Sequence, residues 1–203
     1  MTLFDRLEAT RPYQWLRARM NQGLVRFLAT QVLHTGENLR VAEVACGSGY
    51  GAHLLAQLPQ VQLSIAADIN QEDHQQAGFS QFAGQFVLMD LFNPALTPES
   101  LDLAWNSSSI EEIDQPLLAV QSMARLLKPG GSLFIGVPNR RGPAGWLGRI
   151  ADESHKIWLG RNYDRDELHV LVTEGGLQVE RDTSYLFGVF IGVVARKPKN
   201  HLG

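Results

Sequence analysis

Glu43, Asp68, Asp90 and Asn106 are polar side chains that each fall near or just beyond the end of a short apolar run. Side chains placed in this way can converge, because the carboxyl ends of parallel strands open on one crevice and ligands bind there. Between the first two lies Ala45-Cys46-Gly47-Ser48-Gly49-Tyr50-Gly51. Closely spaced glycines let such a segment turn sharply and meet a ligand with bare backbone. Asp68 ends the run Leu63-Ser64-Ile65-Ala66-Ala67, where a carboxylate can accept from both hydroxyls of a ribose, so a nucleoside-containing ligand is expected. Gly47, Gly49 and Ala52 also satisfy the dinucleotide fingerprint G-x-G-x-x-G/A, which keeps a nicotinamide-dependent oxidoreductase among the readings. Glu43 points elsewhere: a carboxylate beside the turn repels a pyrophosphate and accepts from an ammonium group, so a cationic ligand fits better.

The elements that must position these residues follow from hydrophobic periodicity. Leu16, Met20, Leu24, Phe27, Leu28 and Val32 recur at spacings of three or four, predicting an amphipathic helix over Tyr13 to Leu33. Strand 40–45, helix 50–58, strand 62–68, a polar helix near 71–83, strands 85–89 and 101–105, helix 116–127 and strand 132–137 come next. Such alternation implies a parallel sheet with helices on both faces, since parallel strands need crossovers. Asp164 and Glu167 form a capping-box pair that opens a further helix, closed by Gly175-Gly176. Strands 177–184 and 186–195 have almost no connection between them, which suits an antiparallel hairpin. The fold class expected is α/β, a Rossmann-like doubly wound sheet, mostly parallel with a C-terminal antiparallel hairpin strand.

Two further landmarks are collinear with the first: Asp90 after Phe86-Val87-Leu88-Met89, and Leu126-Leu127-Lys128-Pro129-Gly130-Gly131 leading into the strand Leu133-Phe134-Ile135-Gly136-Val137. Taken in order, these motifs resemble the class I S-adenosylmethionine-dependent methyltransferases, from roughly Leu39 to Lys197. The resemblance implies S-adenosylmethionine as cofactor. Glu43 and the turn Ala45, Gly47, Gly49 would lie along its methionine part, Asp68 would hold the ribose, Asp90 would face the adenine amino group with Leu91 beside the ring, and Ile69 would be a further cofactor contact. Asn106 would sit near the transferred methyl. Ala45 departs from the family, which usually has glycine there, and Glu112 stands where many small-molecule members have histidine.

The acceptor side carries several candidates. Glu111, Glu112 and Asp114 follow the fourth strand, His155 lies in the later loop, and Tyr13 and Trp15 come from the leading helix. Glu112 and His155 are the residues expected to be catalytic, as bases for an acceptor that must lose a proton. The acidic cluster can equally be the solvated start of the helix from Pro116, since carboxylates favour a helix N-terminus.

At 203 residues and 44% hydrophobic content the chain can bury one core, so residues 1–203 are expected to form a single domain. Within it, 1–38 form a helical cap and 140–162, with its glycines and tryptophans, a lid or substrate loop. A net charge of −3 argues against a broad phosphate-binding surface and hence against nucleic acid. The single cysteine, Cys46, allows no internal disulfide and reads as a small packing residue in a reducing compartment. No apolar run reaches the ~18 residues of a membrane span. The expectations are therefore a cytoplasmic protein with no membrane partner, a small-molecule substrate and no metal, because His34, His53, His74 and His169 lack ligand spacing. A homodimer stays open. So do a cofactor-binding protein without methyl transfer and the oxidoreductase.

Overall fold

The structure is a computed structural model that describes residues 11–33, 36–79, 81–143, 161 and 163–199. Its centre is a seven-stranded sheet in the order β3-β2-β1-β4-β5-β7-β6. The strands are β1 (Leu39–Val44), β2 (Val61–Asp68), β3 (Gln85–Leu88), β4 (Leu101–Ser107), β5 (Leu127–Pro138), β6 (Gln178–Tyr185) and β7 (Phe190–Arg196). β1 to β5 pair in parallel, and β7 enters antiparallel between β5 and β6. The expected mostly parallel sheet with an antiparallel C-terminal hairpin is what forms. The strand order reverses between β1 and β4, the place where a doubly wound sheet opens its ligand crevice.

The central strands are apolar on both faces because helices cover both. Ala42, Val44, Ile65, Ala104 and Ile135 share a core with α4 (Pro116–Leu126) and α5 (Arg165–Glu174). Val41, Leu103, Trp105 and Phe134 pack on the opposite face with Leu24, Val25, Leu28 and Val32. Those last four come from α1 (Arg11–Phe27) and the π-helical turn Leu28–Val32 that continues it. Each fully buried Leu, Val or Phe contributes ~1.5–3 kcal/mol. Among the described residues, no helix is long and apolar enough to cross a membrane.

Three elements differ from expectation. The helix near 71–83 is only α3 (Glu72–Gln76): Gly78 takes φ +63°, and the chain turns so that Phe79 and Phe82 pack on the rings of His53 and His74. Strand β5 begins five residues early, because Gly130 N–H donates to Lys197 O at 2.9 Å and Gly131 O accepts from Lys197 N–H at 2.9 Å. The hairpin needs a real turn, 186–189, with Leu186, Phe187 and Gly188 all at positive φ. The α5 cap is as expected: Asp164 Oδ1 accepts from Glu167 N–H at 3.1 Å, and Glu167 Oε2 accepts from Asp164 N–H at 2.9 Å. Arg140 and Arg141 pair with the same aspartate, and Arg140 N–H donates to Tyr163 O at 2.9 Å. These bonds bring together the two ends of the expected 140–162 loop. Most of that loop, including Trp146, His155 and Trp158, lies outside the described residues, as do residues 1–10 of the expected cap.

Candidate active site

The glycine turn is built between β1 and α2 (Tyr50–Leu55). Gly47 and Gly49 have φ of +51° and +73°, and a Cβ at Gly49 would sit 2.9 Å from Ala66 Cβ, so only glycine fits there. Ala45 also has φ +51°, a left-handed conformation that an alanine adopts at a cost of ~1–2 kcal/mol. That is the physical content of the departure from glycine at this position. Glu43 braces the turn from below: its Oε2 accepts from Ala52 N–H at 2.6 Å, at the N-terminus of α2. Gly51 leaves room for Trp105, whose ring would lie 2.3 Å from an added Cβ. His74 adds a clamp that the sequence did not announce, with Nδ1 donating to Ser48 O at 3.0 Å and its ring stacked on Phe86 at 4.3 Å. Cys46 is buried, and burial together with the carboxylates of Glu43 and Asp68 pushes its thiol far above the ordinary range. It stays protonated and packs.

Asp68 closes the other side. Its Oδ2 accepts from Gly47 N–H at 2.7 Å and its Oδ1 from Asn70 N–H at 3.0 Å. Each oxygen keeps a lone pair for a ligand hydroxyl. Asp90 is exposed, with Oδ1 accepting from Phe92 N–H at 2.9 Å in a turn and Oδ2 without a partner among the described residues. A cleft of about 150 Å³ runs between these groups, lined by Ala45, Asp68, Ile69, Asp90, Leu91 and their apolar neighbours Val44, Met89, Phe92 and Ile113. Five of the expected cofactor-contacting residues thus share one cleft. Its apolar walls and two carboxylates suit a flat heteroaromatic base joined to a sugar.

Asn106 is buried and spends its amide on the protein, Nδ2 donating to Val44 O at 2.6 Å and Oδ1 accepting from Ile110 N–H at 3.2 Å. With Ser109 Oγ donating to Ala45 O at 3.1 Å, it fastens the turn after β4 to the turn after β1. The short 3₁₀ turn Ile110–Glu112 then decides which acidic side chain faces inward. Glu112 points to solvent, whereas Glu111 is only 8% exposed and its Oε2 has no partner among the described residues. Burial pushes the Glu111 carboxyl up to about 7, its own backbone N–H holds it back in part, and the charge of Glu112 adds to the rise. In sequence the two glutamates are indistinguishable; the burial of Ile110 beside them is the one available signal. His155 lies outside the described residues. Among the described residues no group of three or more His, Cys, Asp or Glu could hold a metal ion.

Residues 42–135, from β1 into β5, match the family model for a methyltransferase domain. This stretch is a class I methyltransferase domain, and S-adenosylmethionine is the cofactor of that family. The chain is 24% identical over 162 residues to a ubiquinone biosynthesis O-methyltransferase of Rhizobium etli, a match that covers 74% of this chain and 64% of that protein. The chain therefore spans somewhat under two thirds of this curated relative's length. Among solved structures, the methyltransferase bound to the Trm112 methyltransferase activator in a Haloferax volcanii complex superposes with a TM-score of 0.77. That match has 18% identity and covers 98% of this chain and 99% of that one. The [4+2]-cyclase SpnF superposes with a TM-score of 0.69 at 16% identity, covering 88% and 82%. A shared fold at such identities leaves the reaction to be argued from the site.

Proposed function

We propose that the chain transfers the methyl group of S-adenosylmethionine to oxygen or nitrogen of a small-molecule acceptor. The observation that carries this reading is the cleft that joins Ala45, at the start of the glycine turn, to Asp68 and Asp90, with Asp68 bonded to Gly47 N–H. In this reading Asp68 holds the ribose, the exposed carboxylate of Asp90 meets the adenine amino group, and Leu91 and Ile69 flank the ring. Glu43 and the turn from Ala45 to Gly49 set the methionine end, where an acidic side chain suits an ammonium and a sulfonium and disfavours a pyrophosphate. The cofactor supplies an electrophilic methyl on sulfur. The protein supplies alignment, and orientation effects of ~7–11 kcal/mol make alignment sufficient for much of the acceleration.

Isothermal calorimetry is the direct test. Binding of S-adenosylhomocysteine with no measurable binding of NAD supports the reading; NAD binding without adenosylhomocysteine overturns it. Release of labelled methyl to an acceptor pool then separates an enzyme from a cofactor-binding protein that has lost transfer.

A further inference from the structure

A carboxyl group that is nine-tenths buried is costly to keep unless a hydrogen bond or a cation compensates it. Glu111 has neither at its Oε2 among the described residues. Among the described residues, the charged and titratable groups facing it are few. Glu112 lies beside it on the same turn. Tyr163 precedes α5 and Tyr185 ends β6, and each feels the Glu111 charge. Arg161 donates its backbone N–H to Glu111 O at 2.8 Å while its guanidinium lies 5.9 Å from the centre of the Tyr163 ring. The Tyr185 hydroxyl is already engaged by Ser107 Oγ at 2.9 Å.

Its place in the fold gives this group, whose Oε2 has no partner among the described residues, a use. The cleft with Asp68 and Asp90 is lined by the ends of β1, β2 and β3 and, from the segment after β4, by Ile113, two residues beyond Glu111, while Glu111 itself lies near Tyr163 and Tyr185. The turn that carries it is fastened by Asn106 and Ser109 to Val44 and Ala45, at the methionine end of the proposed cofactor site. We propose that Glu111 is the catalytic residue that removes the proton from the acceptor, and that the acceptor's nucleophile is a hydroxyl. This rests on the methyltransferase reading above.

The acceptor's O–H bond breaks, its proton passes to the Glu111 carboxylate, and the electron pair left on oxygen forms the new bond to methyl. The carbon–sulfur bond breaks with its pair on sulfur, turning sulfonium into thioether. A carboxylate or thiolate acceptor is disfavoured by like charge against ionised Glu111. An ammonium is disfavoured because the carboxylate stabilises the protonated, unreactive form. A base ionising near neutral pH is matched to this task.

The test is a ¹³C NMR titration of glutamate-labelled protein, with Glu111→Gln identifying the resonance, or Glu111→Asp shifting it if the glutamine variant does not fold. The Glu111 midpoint is expected near neutral pH. It should fall by about half a pH unit or more with S-adenosylmethionine, whose sulfonium is cationic, relative to S-adenosylhomocysteine, whose sulfur is neutral. Phenol added in excess to the adenosylhomocysteine-loaded protein should shift the resonance, and benzoate should not. A midpoint in the ordinary glutamate range, or the same midpoint with both ligands, overturns the role of Glu111. A shift with benzoate, or none with phenol, overturns the hydroxyl assignment. If calorimetry finds that neither adenosyl ligand binds, the methyltransferase reading itself has failed, whatever the midpoint in the free protein.

Discussion

Glu111→Gln should stabilise the fold at alkaline pH, and the structure sets the size of the effect. Folding raises this carboxyl from 4.5 to about 7, so between those values the native state binds more protons than the unfolded chain. Stability therefore falls as pH rises through that window. Below the lower value both states are protonated and ionisation of Glu111 costs nothing; above the upper value the cost is complete. At about 1.4 kcal/mol for each pH unit, it amounts to about 3 kcal/mol, and relaxation of the buried site brings the expected range to about 1–3 kcal/mol. Glutamine has nearly the same shape and cannot ionise. Urea denaturation of both proteins across pH 4 to 8 gives the test. The readout is the change in their stability difference with pH, because any fixed effect of the new amide cancels. A variant that gains about 1–3 kcal/mol on wild type between the acidic and alkaline ends supports the reasoning. A difference that does not vary with pH refutes it, and shows that Glu111 finds water or a cation in the folded protein.

The remaining predictions concern the cofactor side. Asp68→Ala should weaken S-adenosylhomocysteine binding by about 1.5–3 kcal/mol, the worth of a hydrogen bond to a charged group, whereas Cys46→Ala should change it only a few-fold; equal losses in calorimetry would show the ribose is misplaced. Ala45→Gly should raise stability by about 1 kcal/mol in urea titrations, by removing a Cβ from a residue at φ +51°; a loss would mean the methyl group packs usefully. Gly51→Ala should cost about 1–3 kcal/mol, because the added Cβ meets Trp105 at 2.3 Å. A neutral result in the same titration would show that the indole is free to move.

What could be read in the sequence was whatever local pattern determines. The β1 run, the glycine turn and the Asp164–Glu167 cap are decided by residues a few positions apart, and each forms as expected. The helix near 71–83 was not legible, because its end is set by aromatic contacts to His53 and His74, the first of them some 30 residues upstream of the phenylalanines it holds. β5 starts early for a similar reason: its first residues are held by Lys197, far along the chain. In the site, Asp68 and Asp90 could be placed because strand ends in a parallel sheet gather on one side. Glu111 and Glu112 could not be told apart, since the difference between them is the direction of one 3₁₀ turn, decided by Asn106 and by the burial of Ile110. Asn106 was expected near the transferred methyl, and the sequence did not show that its amide is committed to backbone on both sides.

That commitment explains how a strained crevice stays in place. Ala45 and Ser108, on the turns after β1 and β4, are both non-glycine residues in the left-handed region, with φ of +51° and +60°. Either alone would relax if its turn were free. They are coupled instead: Asn106 holds Val44 O, Ser109 holds Ala45 O, and Ser108 N–H donates to Gly136 O at 2.9 Å, which ties the pair to β5. Each bond is worth about 0.5–1.5 kcal/mol, and leaving a buried group unpaired costs more, so together they are of the same size as the backbone strain they hold in place. The consequence is positional. The turn that faces the proposed cofactor and the turn that carries Glu111 are tied to each other by these bonds, so in the proposed reading whatever fixes the methyl donor against Ala45 also fixes its distance from Glu111.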